Sequence, residues 1–258
     1  MLIARYEIDG QIHYGKLEEN SLKRCSGSPF ATSALSGDVD RLDSVRLLCP
    51  VEPPRIFGAG LNYVSHIEEM KLKRPTVPLL FMKPTTAAIG PNEPIVYPRE
   101  GKEVHFEGEL AVIIGRRTRR LRENEALDAV FGYTCANDVS ERVIQRVEMA
   151  MGHLLVGKAY DTFCPMGPVI ATGLDPNDLL LETRVNGKVR QSVRTSDLLF
   201  SVVELVTYIS QATTLLTGDV ILTGTPSGIG PIVPGDVVDI TIEGVGTLQN
   251  PVVAEPSH

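Results

Sequence analysis

HFEGELAVIIG, residues 105–115, is the stretch on which the reading of the chain turns. Leu110 to Ile114 form an unbroken apolar run, the pattern of a strand buried on both faces. Two carboxylates, Glu107 and Glu109, enter that run one residue apart. Side chains two apart on a strand point the same way, with roots roughly 6.5–7 Å apart. Like charges on one face beside a core repel each other and lose hydration. A hard divalent cation resolves the clash, because converging carboxylates can share one ion. The E-x-E pattern also fits half of a solvent-facing ladder. His105 and Glu103 share its face by parity, so either extends a site or marks a sheet rim.

Two ligands rarely hold a metal, so a third acid is needed elsewhere. Asp138, in CANDVSER, ends an apolar strand and precedes a helix expected over Ser140–Met149, with Ser140 or Asp138 near its N-terminus. Three carboxylates without clustered His or Cys favour Mg²⁺ or Mn²⁺ over Zn²⁺, with Ca²⁺ a further hard ion.

Working outward, GAGLNYVSHIEEM carries His66 and Glu69 three apart, on one face of a short helix expected over Asn62–Leu72. A carboxylate that fixes an imidazole tautomer makes a general base for water. An ordinary solvated helix face has the same pattern. Gly58 and Gly60 upstream point to a mobile lid. Lys158, in VGKAYDTFCPMGP, follows a glycine in a segment short of charge, which suits either a site cation or a surface loop. In LTGTPSGIG, Thr225 sits among glycines after a buried strand, offering its backbone N–H and hydroxyl to a ligand or simply closing a tight turn.

The 258 residues, 43% hydrophobic and 22% charged, suffice for one large domain or one with a small appendage. A net charge of −7 and a pI near 5.3 argue against nucleic acid or an anionic membrane as partner. No apolar stretch reaches bilayer-spanning length, and MLIARYEIDG does not read as a signal peptide. Cys25, Cys49, Cys135 and Cys164 are scattered, as suits reduced thiols in a cytoplasmic protein. Residues 1–50 read as a small β domain with a hairpin at Asp9-Gly10. Ser26–Asp43 reads as loop, and Pro50, Pro53 and Pro54 mark the entry to a body spanning 51–258. That body is β-rich α+β, with a second hairpin at Asn186-Gly187 and a long helix from Asp197 to about Leu216, capped by Ser196 or Asp197 and ended by Gly218. No G-x-G-x-x-G or P-loop is present.

Taken in order, GAGLNYVSHIEE, PLLFMKP, HFEGELAVIIG, GYTCANDVSERVIQR, GKAYDTFCPMGP, NGKVRQ and GDVILTGTPSGIG followed by PGDVVDITIEGVGTLQN resemble the fumarylacetoacetate hydrolase family over roughly residues 55–251. The resemblance implies a mixed β-sandwich roll, a small variable N-terminal domain and a homodimer. It makes Glu107, Glu109 and Asp138 the metal carboxylates, and His66 with Glu69 the water-activating pair. It places Lys158, Arg142, Gln145, Thr225 and Tyr63 at the substrate. The departures are His105 where the family often has an acid, ERVIQR for a commoner A-R-D-L-Q, and Thr217 before GD. The implied activity is Mg²⁺-dependent hydrolysis of a C–C bond in an acylpyruvate-like 2-oxo acid. Alternatives on the same site are oxaloacetate decarboxylation, keto–enol isomerisation or hydration in an aromatic catabolic pathway, and, more remotely, non-catalytic metal binding.

Overall fold

The apolar run is indeed a strand, Gly108–Ile114, buried along its whole length. Its side chains divide by parity between two cores: Leu110, Val112 and Ile114 pack into one, Ala111 and Ile113 into the other. That double burial explains why the run has no polar interruption. The computed structural model describes residues 1–31, 35–53 and 55–256. Pro54 and residues 32–34 of the expected loop lie outside the described residues.

Strand dominates, in several sheets of mixed direction. The largest sheet runs Leu35–Arg41, Ser21–Cys25, Gln11–Glu18, Leu2–Ile8, Cys164–Ala171, Val130–Asn137, Gly108–Ile114, Val220–Leu222, Ile56–Gly60 and Leu79–Lys83. A five-stranded sheet faces it, in the order Lys188–Arg194, Leu180–Val185, Val237–Ile242, Gly246–Ala254 and Ile95–Tyr97. Between them lie Leu110, Val112, Tyr133 and Val169 from one side and Leu181, Ile240 and Leu248 from the other. The N-terminal meander is joined edge-on to the large sheet, Leu2 opposite Ala171 and Ile3 opposite Ile170. Among the described residues no helix is long and apolar enough to cross a membrane.

Both hairpins form where expected. Asp9 and Gly10 (φ 51° and 74°) and Asn186 and Gly187 (φ 51° and 75°) take the left-handed pair that a two-residue turn requires. Other expectations are corrected. Within Ser26–Asp43, Leu35–Arg41 is an edge strand rather than loop. Its polar sequence hides the pairing, and its one buried acid, Asp40, accepts from Arg24 at 2.7 and 2.8 Å and from the Tyr6 hydroxyl at 2.6 Å.

The long helix is shorter than expected, Val202–Ala212, capped by a Ser201–Glu204 box. Leu198 instead bridges Tyr63, and the Leu199 amide donates to the Asn62 carbonyl at 2.8 Å, so that stretch is held extended. Asp197 accepts from the Ser65 amide at 3.0 Å, and the Gly218 amide donates to the Ile114 carbonyl, so neither caps nor ends that helix. The strand Ile56–Gly60 is not a lid either, because it pairs on both edges, with Val220–Leu222 and Leu79–Lys83. A Cβ on Gly58 would lie 2.2 Å from the Phe81 ring, so the glycine serves close packing.

Candidate active site

Glu109 is the second residue of the Gly108–Ile114 strand and pairs with Ala136; Asp138 stands just beyond the end of the neighbouring strand. Glu107 occupies the junction between that strand and the short strand Val104–Phe106, which belongs to a different, three-stranded sheet. The Asp138 amide donates to the Glu107 carbonyl at 2.9 Å, and the Glu107 amide donates to Asn137 Oδ1 at 2.9 Å, which clamps the two strand ends together. One carboxylate oxygen from each of Glu107, Glu109 and Asp138 lies within 4.8 Å of the others, and all three residues are buried. His105 is not one of the three ligands; its Nε2 lies 3.0 Å from Glu103, with Arg142 and Glu107 near enough to act on its charge. The chain changes sheets between His105 and Glu107, so strand alternation does not by itself relate their side chains.

Three buried cations answer the triad. Lys158 Nζ donates to Glu107 at 2.8 Å and to Asp138 at 2.5 Å. Arg142 Nη1 lies 3.0 Å from Glu107 and donates to Gln145 Oε1 at 2.5 Å. Lys83, in PLLFMKP, donates to Asp138 Oδ1 at 2.6 Å and was not foreseen from the sequence. Its signal was parity: it shares the inward face with Phe81 on a strand whose Leu79, Leu80 and Met82 are exposed. Burial alone would raise the Glu107 carboxyl, but Lys158 and Arg142 outweigh it and hold it low. Burial opposes the charge of Lys158, yet Asp138 and Glu107 raise its pKa.

Glu109 differs. Its one described polar contact is the Gly224 amide, which donates to it at 2.6 Å. Burial, then repulsion by Asp138 and Glu107, pushes its carboxyl well above the usual range. A buried carboxyl with no cation partner among the described residues, converging through hard oxygen atoms with two carboxylates that have such partners, fits a divalent cation of the Mg²⁺ or Mn²⁺ type.

The helix expected over Asn62–Leu72 spans only Val64–Glu69, because Leu61 is left-handed and the Asn62 amide group is spent on Phe200 and Thr223. It holds His66 Nδ1 3.1 Å from Glu69, whose other oxygen accepts from the Gly228 amide at 3.0 Å. Beyond Asp138, the helix Arg142–Ala150 is capped by Glu141, which accepts from Ile144 at 2.6 Å. Asp138 and Ser140 do not cap it; the Ser140 hydroxyl donates to Glu107 instead. Further along that helix Glu148, buried, accepts from the amides of Leu155, Val156 and Gly157 and so fixes the single turn that carries Lys158.

Glu107, Glu109, Asp138, His66, Arg142, Gln145, Lys158 and Thr225 all line one cavity of about 420 Å³. Glu69 backs His66. The Thr225 hydroxyl is already committed, donating to Gly108 and accepting from Gln191, itself unforeseen within NGKVRQ. Tyr63, expected at the substrate, is instead fully buried and is not part of the cavity wall. One Arg142 nitrogen, Nη2, is buried without a protein partner, leaving a donor for a ligand.

Fold and site together define a β-rich protein with a buried three-carboxylate centre at the base of a small-molecule cavity. The chain belongs to the fumarylacetoacetate hydrolase family: residues 55–253 match the model described as fumarylacetoacetate (FAA) hydrolase C-terminal, and residues 1–50 match one described as Rv2993c-like, N-terminal. It is 40% identical over 236 residues, 86% of this chain and 74% of the other, to a mitochondrial oxaloacetate tautomerase, fahd2, of Xenopus laevis. A 5-carboxymethyl-2-hydroxymuconate delta-isomerase from Mycobacterium smegmatis superposes with a TM-score of 0.93 at 44% identity, covering 99% of this chain and 100% of that one. A maleylpyruvate hydrolase from Sphingobium sp. SYK-6, solved with manganese(II) and pyruvate, gives 0.81 at 31% identity, with 99% and 100% covered. Members of the family are enzymes, tautomerases, isomerases and hydrolases among them, and bind divalent metal ions.

Proposed function

We propose that this chain is a Mg²⁺-dependent hydrolase that cleaves a C–C bond in an acylpyruvate-like 2-oxo acid, with Mn²⁺ able to replace Mg²⁺. The observation that carries this is the convergence on one cavity of the carboxylate triad, the anion-binding Lys158 and Arg142, and the His66–Glu69 pair. Glu107, Glu109 and Asp138 would hold the ion, which when bound polarises carbonyl oxygens and stabilises negative charge. Three ionised carboxylates against Lys83, Lys158 and Arg142 balance; a divalent ion adds a positive surplus, which suits an anionic 2-oxo acid.

The remaining steps belong to the protein's own side chains. Arg142 and Lys158 orient the substrate's carboxylate, with Gln145 bracing the guanidinium. With Nδ1 donating to Glu69, His66 Nε2 carries the lone pair that takes a proton from water. The water oxygen bonds to the distal carbonyl carbon, and the C–C bond to the neighbouring methylene breaks. Its electron pair leaves with the pyruvyl fragment, and the proton returned to that carbon yields pyruvate and a carboxylic acid. All cavity-lining residues lie beyond residue 58, so residues 51–258 carry the reaction and residues 1–50 form an appended β unit.

Similarity to a tautomerase and an isomerase favours a second reading, in which the same base moves a proton between carbon and oxygen without adding water. Incubation of the Mg²⁺-loaded protein with acetylpyruvate and with oxaloacetate separates the two. Loss of diketone absorbance with pyruvate release supports hydrolysis. Accelerated enol–keto exchange of oxaloacetate, or CO₂ release, with acetylpyruvate intact would overturn it.

A further inference from the structure

The cavity is divided by depth. Its charged floor is buried: Glu107, Glu109, Asp138, Arg142 and Lys158 all have at most 9% exposure. The rim is apolar and open, formed by Met70, Leu72, Leu79, Leu80 and Met149, each 39% exposed or more. Met70 and Leu72 follow the His66 helix, Leu79 and Leu80 begin the strand that ends in Lys83, and Met149 lies on the helix that begins with Arg142. The rim therefore stands on the same elements that position the floor.

Among the described residues no lysine or arginine lines the rim. His153 is the one titratable side chain among them lining that level, and its Nε2 lies 3.8 Å from the buried Glu148 carboxylate. Lys71, Lys73 and Arg74 follow the helix but do not line the cavity, and Arg74 engages Glu68 at 3.2 Å. A carboxylate carried up to this wall would lose water without gaining a partner. A hydrocarbon group there gains from each methylene buried. The cavity's volume of about 420 Å³ also exceeds what a three- or four-carbon acid fills.

We infer that the physiological ligand is a 2-oxo acid whose far end is an uncharged hydrocarbon group held by Leu72, Leu79, Leu80 and Met149, and that the site discriminates against substrates ending in a second carboxylate. The inference rests on the reading of the floor as a 2-oxo acid site, but not on which reaction follows.

Calorimetric titration of the Mn²⁺-saturated protein with pyruvate, 2-oxooctanoate and 2-oxosuberate tests it without requiring turnover. The eight-carbon monoacid should bind at least tenfold more tightly than pyruvate, as full burial is worth roughly fourfold per methylene. Its heat-capacity change should be the more negative. The diacid should gain nothing over pyruvate. A diacid that binds as tightly as the monoacid, or a monoacid no tighter than pyruvate, overturns the inference while leaving the floor reading in place. Binding of none of the three removes both. Leu80→Arg, a change at an exposed position, should shift the ratio toward the diacid at least tenfold; an unchanged ratio removes the rim from recognition.

Discussion

Replacing Glu109 or Glu107 by Gln probes two carboxylates that are near neighbours in sequence but opposites in environment. Glu107 faces Lys158 at 2.8 Å and Arg142 at 3.0 Å. Its amide replacement leaves two buried cations short of a partner, a loss of about 3–5 kcal/mol. Among the described residues Glu109 has one polar contact, the Gly224 amide, and, without metal, burial and its neighbouring carboxylates raise its pKa well above the usual carboxylate range. Glu109→Gln preserves the carbonyl acceptor for that amide and removes a charge that is already suppressed, so the metal-free protein should change by less than about 1 kcal/mol. Urea unfolding in excess chelator measures both, as midpoint shifts at constant slope.

Once metal is supplied, both substitutions remove a ligand, and Glu109→Gln ceases to be silent. Loss of a ligand should weaken Mn²⁺ binding on the order of 100-fold or more, beyond what loss of an outer partner costs. The pH dependence follows by sign. Glu109's pKa is raised on folding, so metal-free stability is full below the ordinary carboxylate range and declines as pH climbs through the raised value. Metal favours the ionised form, so its stabilising effect grows with pH and releases a proton. Glu109→Gln should flatten both trends. Equal destabilisation by the two substitutions in chelator would refute the reasoning, since Glu109 would then be ionised without metal.

His66→Ala should lower kcat by about 10²–10⁴-fold while Mn²⁺ affinity holds, because His66 bonds to Glu69 and to no member of the triad; turnover at the wild-type rate would remove it as the base. Gly58→Ala should cost about 1–3 kcal/mol in urea unfolding, since its Cβ would meet the Phe81 ring at 2.2 Å; an unperturbed midpoint would show that the strand has room after all. Sedimentation equilibrium should return a homodimer, as the exposed Met82, Leu155 and Val156 line one shallow apolar hollow, with Val147 and Met151 exposed as well; a monomer at micromolar concentration would count against that.

What the sequence revealed follows the range of each physical rule. The Leu110–Ile114 run and the two Asn/Asp-Gly turns depend on neighbours within a few residues, so pattern alone located them. The helix ends were misplaced because competing contacts came from far along the chain. Leu198 is drawn to Tyr63 and Leu199 to Asn62, more than a hundred residues away, and Ser201 is left as the cap. Gly58 read as mobile because glycine's freedom is local information, whereas Phe81's ring arrives from the adjacent strand.

The centre shows the same division more sharply. Acids can be found by the repulsion they would suffer, which is why Glu107 and Glu109 stood out against an apolar run. Their cations leave no such mark. Lys83 looks like any lysine at a strand end until the fold sets its ammonium 2.6 Å from Asp138, and Glu148 looks like a surface acid until it closes the turn beneath Lys158. His105 marks the opposite limit. Alternation assigned it to the face of Glu107, but alternation holds only within one sheet, and the chain leaves the three-stranded sheet at Phe106 and enters the large one at Gly108. Glu107 lies at that transfer, and one of its carboxylate oxygens comes within 4.8 Å of oxygens of Glu109 and Asp138. The arrangement that looked like a fault in a strand sits where one sheet hands the chain to another, with its charges answered by residues from elsewhere in the fold.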